Sequence, residues 1–423
     1  MIGAGVAGLA ATWAAAQRGA KLRLFDGGLG ASCLAGGAVD DRPWDEVARS
    51  VEVLDAPPLA KPLPESVRIF ASDLELWRLP HPGEPLARLA TASGRIRVAR
   101  GHDRSLLDLS RLRRGATVLL PIVPRAEWDA PSLARAFAAD AYAVSRDLRF
   151  ITADAKLLKL RGEDRIAPGD LASRHDDPDR RRWLVDRLEE LLDRAGPVDA
   201  LLLGPWLGAL EPIAPVLEAE LGVLVGEVLG GVGGAAGLRF EAARAALLAT
   251  TGVSIEPHNV TRIRAGDVGD ELVVSLDDDE EVVADAVVVA CGGLAAGGVI
   301  YEPPEHRAGM DMPEAGAAPW RLSIDAPLQM QGHGRRLDVV GSVHGPALDH
   351  VGWPTDADPG LLESVGIRTA GTAAVLLESA GFEARLLAAG DVVADRPRTM
   401  LQAAFDGIRA GADAAGEPGA LSA

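Results

Sequence analysis

Apolar residues dominate positions 6 to 18, and Gly19 follows them. That pattern predicts a buried helix closed by a glycine at its C-terminal end. Lys21-Leu-Arg-Leu-Phe25 then alternates polar and apolar and predicts a short strand that ends on Asp26. A loop of Gly and small residues runs from 27 to 40, and the Pro-rich stretch 55–66 marks a boundary. Residues 67–230 mix helical and strand patterns. The run 117–123 predicts a strand, and 199–203 predicts another, stopped by Gly204-Pro205. Trp183, Leu184, Leu188, Leu191 and Leu192 share a helical face over 181–194. A Gly-rich loop at 228–237 precedes a helix over 238–250 and a strand pattern around Val253 and Val260. Two antiparallel strands are expected around the acidic turn 277–281. A late strand is expected over 383–391, and a final helix over about 399–415. Residues 301–360 are rich in Pro and Gly, with short strands, and no internal repeat is present.

Composition narrows the class. At 423 residues the chain suits two or three units of ordinary size, and 48% hydrophobic with 25% charged residues is globular composition. The net charge of −18 repels nucleic acid and anionic lipid, so neither is expected as a partner. An anionic substrate would need a local arginine cluster. Two lone cysteines, Cys33 and Cys291, make no disulfide framework, and without a C-x-x-C the chain holds no iron–sulfur cluster alone. This usage favours a reducing cytosol. No run is long and apolar enough to predict a membrane span.

The chemistry is concentrated at the N-terminus. Gly3-Ala-Gly5-Val-Ala-Gly8 fits G-x-G-x-x-G. The first glycine allows a tight turn, the second lets backbone approach a pyrophosphate, and the third lets helix pack on strand. The helix N-terminus adds a positive dipole end. Asp26 has the spacing of a carboxylate that accepts from a ribose hydroxyl. Only Met1 and Ile2 precede Gly3, so the first strand is expected to be unusually short or to lack its start. Two later segments favour a flavin over a nicotinamide. Residues 284–293 read as a buried strand that ends in glycines. Leu387-Ala-Ala-Gly-Asp391 leads into the C-terminal helix, where an aspartate would meet a ribityl chain and the helix N-terminus would face the flavin.

With these residues in view, the chain resembles the B-type subunit family of anaerobic glycerol-3-phosphate dehydrogenase. Gly30-Ala-Ser-Cys-Leu-Ala-Gly-Gly-Ala-Val-Asp40 is similar to that family's loop after the second strand. Thr91-Ala-Ser-Gly-Arg-Ile-Arg97, Asp199-Ala-Leu-Leu-Leu-Gly-Pro-Trp-Leu-Gly208 and Gly237-Leu-Arg-Phe240 resemble three further segments. Ala290-Cys-Gly-Gly-Leu-Ala-Ala-Gly-Gly-Val299 is the most specific match. The resemblance implies FAD or FMN, and oxidation of sn-glycerol 3-phosphate to dihydroxyacetone phosphate with electrons leaving to quinone. It also implies a catalytic flavoprotein subunit and an iron–sulfur membrane-anchoring subunit as partners. The chain itself would then be cytoplasmic, or peripheral on the inner face of the membrane through those subunits. Residues 390–399 depart from the Gly-rich family pattern by their charge. No histidine lies between 27 and 37, so the flavin is expected to be non-covalent.

The fold expected is α/β, a Rossmann-like flavin-binding domain of the two-dinucleotide-binding type with an inserted α/β domain. The flavin domain would comprise 1–60, 231–300 and 361–423, and the insert 61–230, with 301–360 packing on the flavin domain. The expected flavin set is Gly3, Gly5, Val6, Ala7, Gly8, Asp26, Gly30, Ala31, Ser32, Val260, Cys291, Gly292, Gly390, Asp391 and Leu401. Arg396 and Arg398, just before the last helix, are expected to contact substrate or flavin, and His344 or His350 to act as base. His258 reads as structural, Cys33 as a small buried group, and the Arg180–Arg182 run as a solvated helix start. No metal site is expected. The alternatives are a stand-alone FAD-dependent oxidoreductase of the fumarate reductase group with another substrate, and a non-catalytic accessory subunit.

Overall fold

In the computed structural model, the described residues are 1–28, 30–41, 59–231, 234–266, 271–302, 320–324, 343–345, 366–367, 369–370, 374–375, 385–394 and 396–416. The chain divides into two units, one of Met1–Ala31 with Leu248–Ala423 and one of Ser32–Leu247. Residues 32–60 and 231–247, expected with the flavin domain, therefore fall in the second unit.

The first unit is built on a parallel sheet. Ile2 bridges in parallel to both Phe25 and Val289. Its amide donates to Val288 O at 2.9 Å, and its carbonyl accepts from Ala290 N at 2.8 Å. Ile2 thus holds the central position of the sheet. Leu24–Phe25 pairs in parallel with Ile255–Glu256 on one side, and Ala286–Val289 pairs in parallel with Arg385–Ala388 on the other. In chain order the strands lie third, second, first, fourth, fifth. That is the order of a dinucleotide-binding sheet, with its crevice where the connections diverge. The fourth strand is reached through an antiparallel meander, Val260–Ala265, Leu272–Leu276 and Glu281–Ala284.

The N-terminal helix Val6–Ala16 is buried along Val6–Ala15, as a helix apolar on all sides must be. The C-terminal helix Met400–Ala414 packs on it through two glycines. A Cβ on Gly407 would lie 2.1 Å from Ala7 O, and one on Gly411 would lie 2.1 Å from Ala11 O. These matched offsets make the two helices run in parallel, so both N-termini face the carboxyl edge of the sheet.

The second unit is a separate parallel α/β sheet. Its strands lie in the order Leu224–Glu227, Ala200–Leu203, Thr117–Ile122, Arg149–Asp154. Ala200–Leu203 is buried at every position, as expected of a central parallel strand. The helices include Ala130–Ala139, Pro178–Ala195 and Ala214–Leu221. Arg239 is wholly buried between Asp103 and Glu227, each at 2.7 Å, and donates to the carbonyls of Leu207 and Gly208 at 2.8 and 2.7 Å. The helix start at Arg180 is not solvated as expected. Arg180 is 6% exposed and pairs with buried Glu163 at 2.9 Å, because Glu163 also draws Arg174 and two backbone amides. Arg182 alone of that run stays in solvent.

Among the described residues no helix is long and apolar enough to cross a membrane.

Candidate functional site

The site is assembled at the carboxyl edge of the first unit's sheet. Gly3 leaves the central strand with φ +91°, and its amide donates to Phe25 O at 2.7 Å. A side chain there would start 2.3 Å from Ala290 O. Gly8 lies so close under the turn that a Cβ would sit 1.8 Å from Gly3 O. Gly3 is therefore required by conformation and contact, and Gly8 by contact. Gly5 is the N-cap of the helix and, having no side chain, caps nothing; no acidic residue stands in the first turn. Val6, Ala7 and Gly8 form that buried first turn. Backbone amides and the positive dipole end thus define an anion seat.

Asp26 follows the second strand, half-buried, with its amide held by Glu256 O at 3.0 Å. Beside it, Gly27 has no room for a side chain because the carboxamide of Asn259 occupies that position. Asp277 holds Asn259 through the backbone amide at 3.1 Å and through Nδ2 at 3.0 Å. His258 Nδ1 lies 3.2 Å from the same carboxylate. Gly30 returns to the glycine turn, its Cβ position 3.8 Å from Gly5 Cα.

The fourth and fifth strands deliver the other half. Cys291 is half-buried beyond the fourth strand, and Gly292 takes φ +80°. A Cβ on Gly293 would lie 2.9 Å from the Cβ of Asp391, and one on Gly390 would lie 2.6 Å from the Cβ of Ala7. The two late segments and the N-terminal turn are thereby in direct contact. Burial pushes the Asp391 carboxyl up to about 6; Arg398 opposes the shift and Asp406 adds to it. Thr399 caps the C-terminal helix by accepting from Gln402 N at 3.2 Å, and Leu401 is buried in its first turn.

The remaining expectations divide. Arg398 stands close enough to Asp391 to act on its charge. Arg396 instead pairs with buried Asp406 at 2.9 Å, a contact within the protein. Ala31 and Ser32 open a short 3-10 helix, Ala31–Leu34, with the division between the units falling between them. Cys33, expected to be buried, is half-buried. Val260 begins the meander, pairs with Leu276 and packs on the core cluster that holds Ile2 and Phe25. His344 lies on the strand Val343–Gly345 opposite Arg321, its side chain outside the described residues, as is all of His350. Sequence reasoning missed Asn259, Asp406 and Gly407. Gly407-x-x-x-Gly411 carried a signal for close helix packing, whereas Asn259 and Asp406 carried none.

Fold and site together define an α/β chain whose first unit carries a glycine-rich strand-turn-helix at the carboxyl edge of a parallel sheet. No family model matches the chain, and no curated protein matches it. Among solved structures it is similar to a glycine oxidase from Bacillus cereus, at 11% identity over 100% of this chain and 97% of that one, with a TM-score of 0.31. It is also similar to a ferredoxin-flavin thioredoxin reductase from Clostridium acetobutylicum, at 15% identity over 51% of this chain and 95% of that one, with a TM-score of 0.21. A second structure described as the same reductase gives 14% identity, 59% and 94% coverage, and a TM-score of 0.23.

Proposed function

We propose that this chain is a flavin-dependent oxidoreductase that binds FAD or FMN non-covalently. The observation that carries the reading is the convergence of the Gly3–Gly8 turn, Gly293 and Asp391 at one edge of a parallel sheet, under two parallel helix N-termini. The donor set fits such a cofactor. Backbone amides without room for side chains suit a pyrophosphate, Asp26 suits a ribose diol, and the largely buried Asp391 carboxyl suits a polyol chain. Flavin, when bound, supplies a two-electron acceptor. The residues supply binding and orientation. The N-terminal helix holds negative charge, Asp26 and Asp391 accept hydrogen bonds, and the C-terminal helix directs its positive end toward the same edge.

For the substrate we propose a small phosphorylated alcohol, with sn-glycerol 3-phosphate first among them. Support comes from the segments at 30–40, 91–97, 199–208, 237–240 and 290–299 that resemble the B-type subunit family of anaerobic glycerol-3-phosphate dehydrogenase, together with the cationic Arg398, whose charge acts on Asp391. On this reading electrons pass towards quinone through a catalytic flavoprotein subunit and an iron–sulfur membrane subunit.

The test is an absorption spectrum of the purified chain after incubation with FAD or with FMN. Bound oxidised flavin that bleaches anaerobically on addition of glycerol 3-phosphate is the expected result. A chain that takes up neither flavin overturns the reading. Flavin uptake without bleaching leaves a flavoprotein and removes this substrate.

A further inference from the structure

Two arginines, Arg396 and Arg398, lie on the segment that links the fifth strand to the C-terminal helix, and the structure ties the first of them to that helix. Asp406, on the second turn of that helix, is 2% exposed. Its Oδ1 accepts from Arg396 Nη1 at 2.9 Å and from Gln402 Nε2 at 2.8 Å. Its neighbour Gly407 is pressed against the carbonyl of Ala7, so the helix cannot turn to release the carboxylate without lifting off the glycine turn. One end of the latch is therefore fixed to the cofactor seat, and the other grips the loop.

We propose that Asp406 is a positioning residue that clamps Arg396 as a strut and so fixes the loop that carries Arg398, on the side of the site where the flavin end of a bound cofactor would lie. The inference rests on the flavin reading given above. A buried carboxylate that receives a guanidinium and a carboxamide holds a loop more firmly than a surface ion pair does, because the carboxylate is left uncompensated by water once the guanidinium leaves. The latch serves only one half of the site. Gly3, Gly8 and Asp26 are held by other contacts, to Ala290, Phe25 and Glu256.

That asymmetry supplies the test. Asp406→Asn and Arg396→Met are made in the full chain, and binding of FAD and of ADP is measured by calorimetry, ADP probing only the half beside Gly3–Gly8 and Asp26. Expected is a loss of FAD affinity of about tenfold in either variant, with the double variant no worse than the singles and Arg396→Lys largely restored. ADP affinity stays within about twofold. Equal losses for FAD and ADP, or additive losses in the double variant, overturn the proposal. Hydrogen exchange of the flavin-free protein separates this from failure of the flavin reading. If the wild-type chain binds neither probe, that reading fails; if amides 396–402 exchange no faster in Asp406→Asn, the latch itself fails.

Discussion

Replacing Arg239 by Met tests whether the second unit is held by its buried ionic triad. The guanidinium is wholly buried, and it satisfies Asp103, Glu227 and the carbonyls of Leu207 and Gly208. Met fills much of the volume but leaves two carboxylates at 1% exposure without their counter-charge. Breaking a buried pair from one side costs about 3–5 kcal/mol. Urea unfolding followed by tryptophan emission reads this unit, since Trp128 and Trp206 lie in its core. The loss should depend on pH. Burial already pushes Glu227 up to about 7 with Arg239 beside it, and removal of the cation raises it further. The folded variant then binds protons that the unfolded chain does not, so its stability rises as pH falls toward the unfolded carboxyl value. The deficit is therefore largest above the variant's further raised Glu227 value and shrinks as pH falls toward about 7, below which wild type and variant bind that proton alike. Adding Glu227→Gln to Arg239→Met should recover part of the loss at the higher pH. A loss below about 1 kcal/mol at high pH, or one that ignores pH, refutes the reasoning.

Gly8→Ala places a methyl 1.8 Å from Gly3 O, and is expected to abolish flavin uptake while the urea transition of the second unit is unchanged. Gly411→Leu forces the C-terminal helix off Ala11 and should destabilise the first unit by about 1–3 kcal/mol, read in the emission of Trp13. Buried His175 is lowered to about 4 by desolvation, so the unfolded chain takes its proton first. Stability should fall as pH drops from the ordinary histidine value toward 4, by up to ~3 kcal/mol, and His175→Gln should flatten that slope. Flavin affinity should rise with pH through about 6 as Asp391 ionises, and Asp391→Asn should show no such rise in the same titration.

The glycine turn was legible because its requirement is local. Gly8 is excluded from bearing a side chain by the carbonyl of Gly3, which any such strand-turn-helix brings to it, and Gly3 by its φ of +91°, so the spacing announces both although the carbonyl that Gly3 faces belongs to distant Ala290. The strands Ala286–Val289 and Arg385–Ala388 were legible as apolar runs ending in glycine. The antiparallel strands around 277–281 were legible from their alternation, and the helix over 181–194 from its period, observed as Pro178–Ala195. What stayed hidden depends on partners distant in sequence. Arg180 looked like a surface cation until Glu163 was placed against it. Arg239 and Asp103 lie 136 positions apart, and nothing in either neighbourhood marks the other. Asn259 fills the space over Gly27 only because the meander carries it there. Arg396 and Arg398 read as equivalent in the chain, and the fold places buried Asp406 against the first.

The sheet order of the first unit also bears on how the protein is made. Its central strand is synthesised first, its second soon after, and the strands flanking them only after residues 32–247 have emerged. Until Arg385–Ala388 and the helix behind it leave the ribosome, the apolar N-terminal helix has neither its sheet nor the glycine pair that covers it. The second unit faces no such wait, because all four strands of its sheet lie in one uninterrupted stretch. The nascent chain should therefore carry an already folded second unit while the N-terminal helix is still uncovered. That is the situation in which a holding chaperone acts, and it makes the N-terminal helix the segment on which one would first engage.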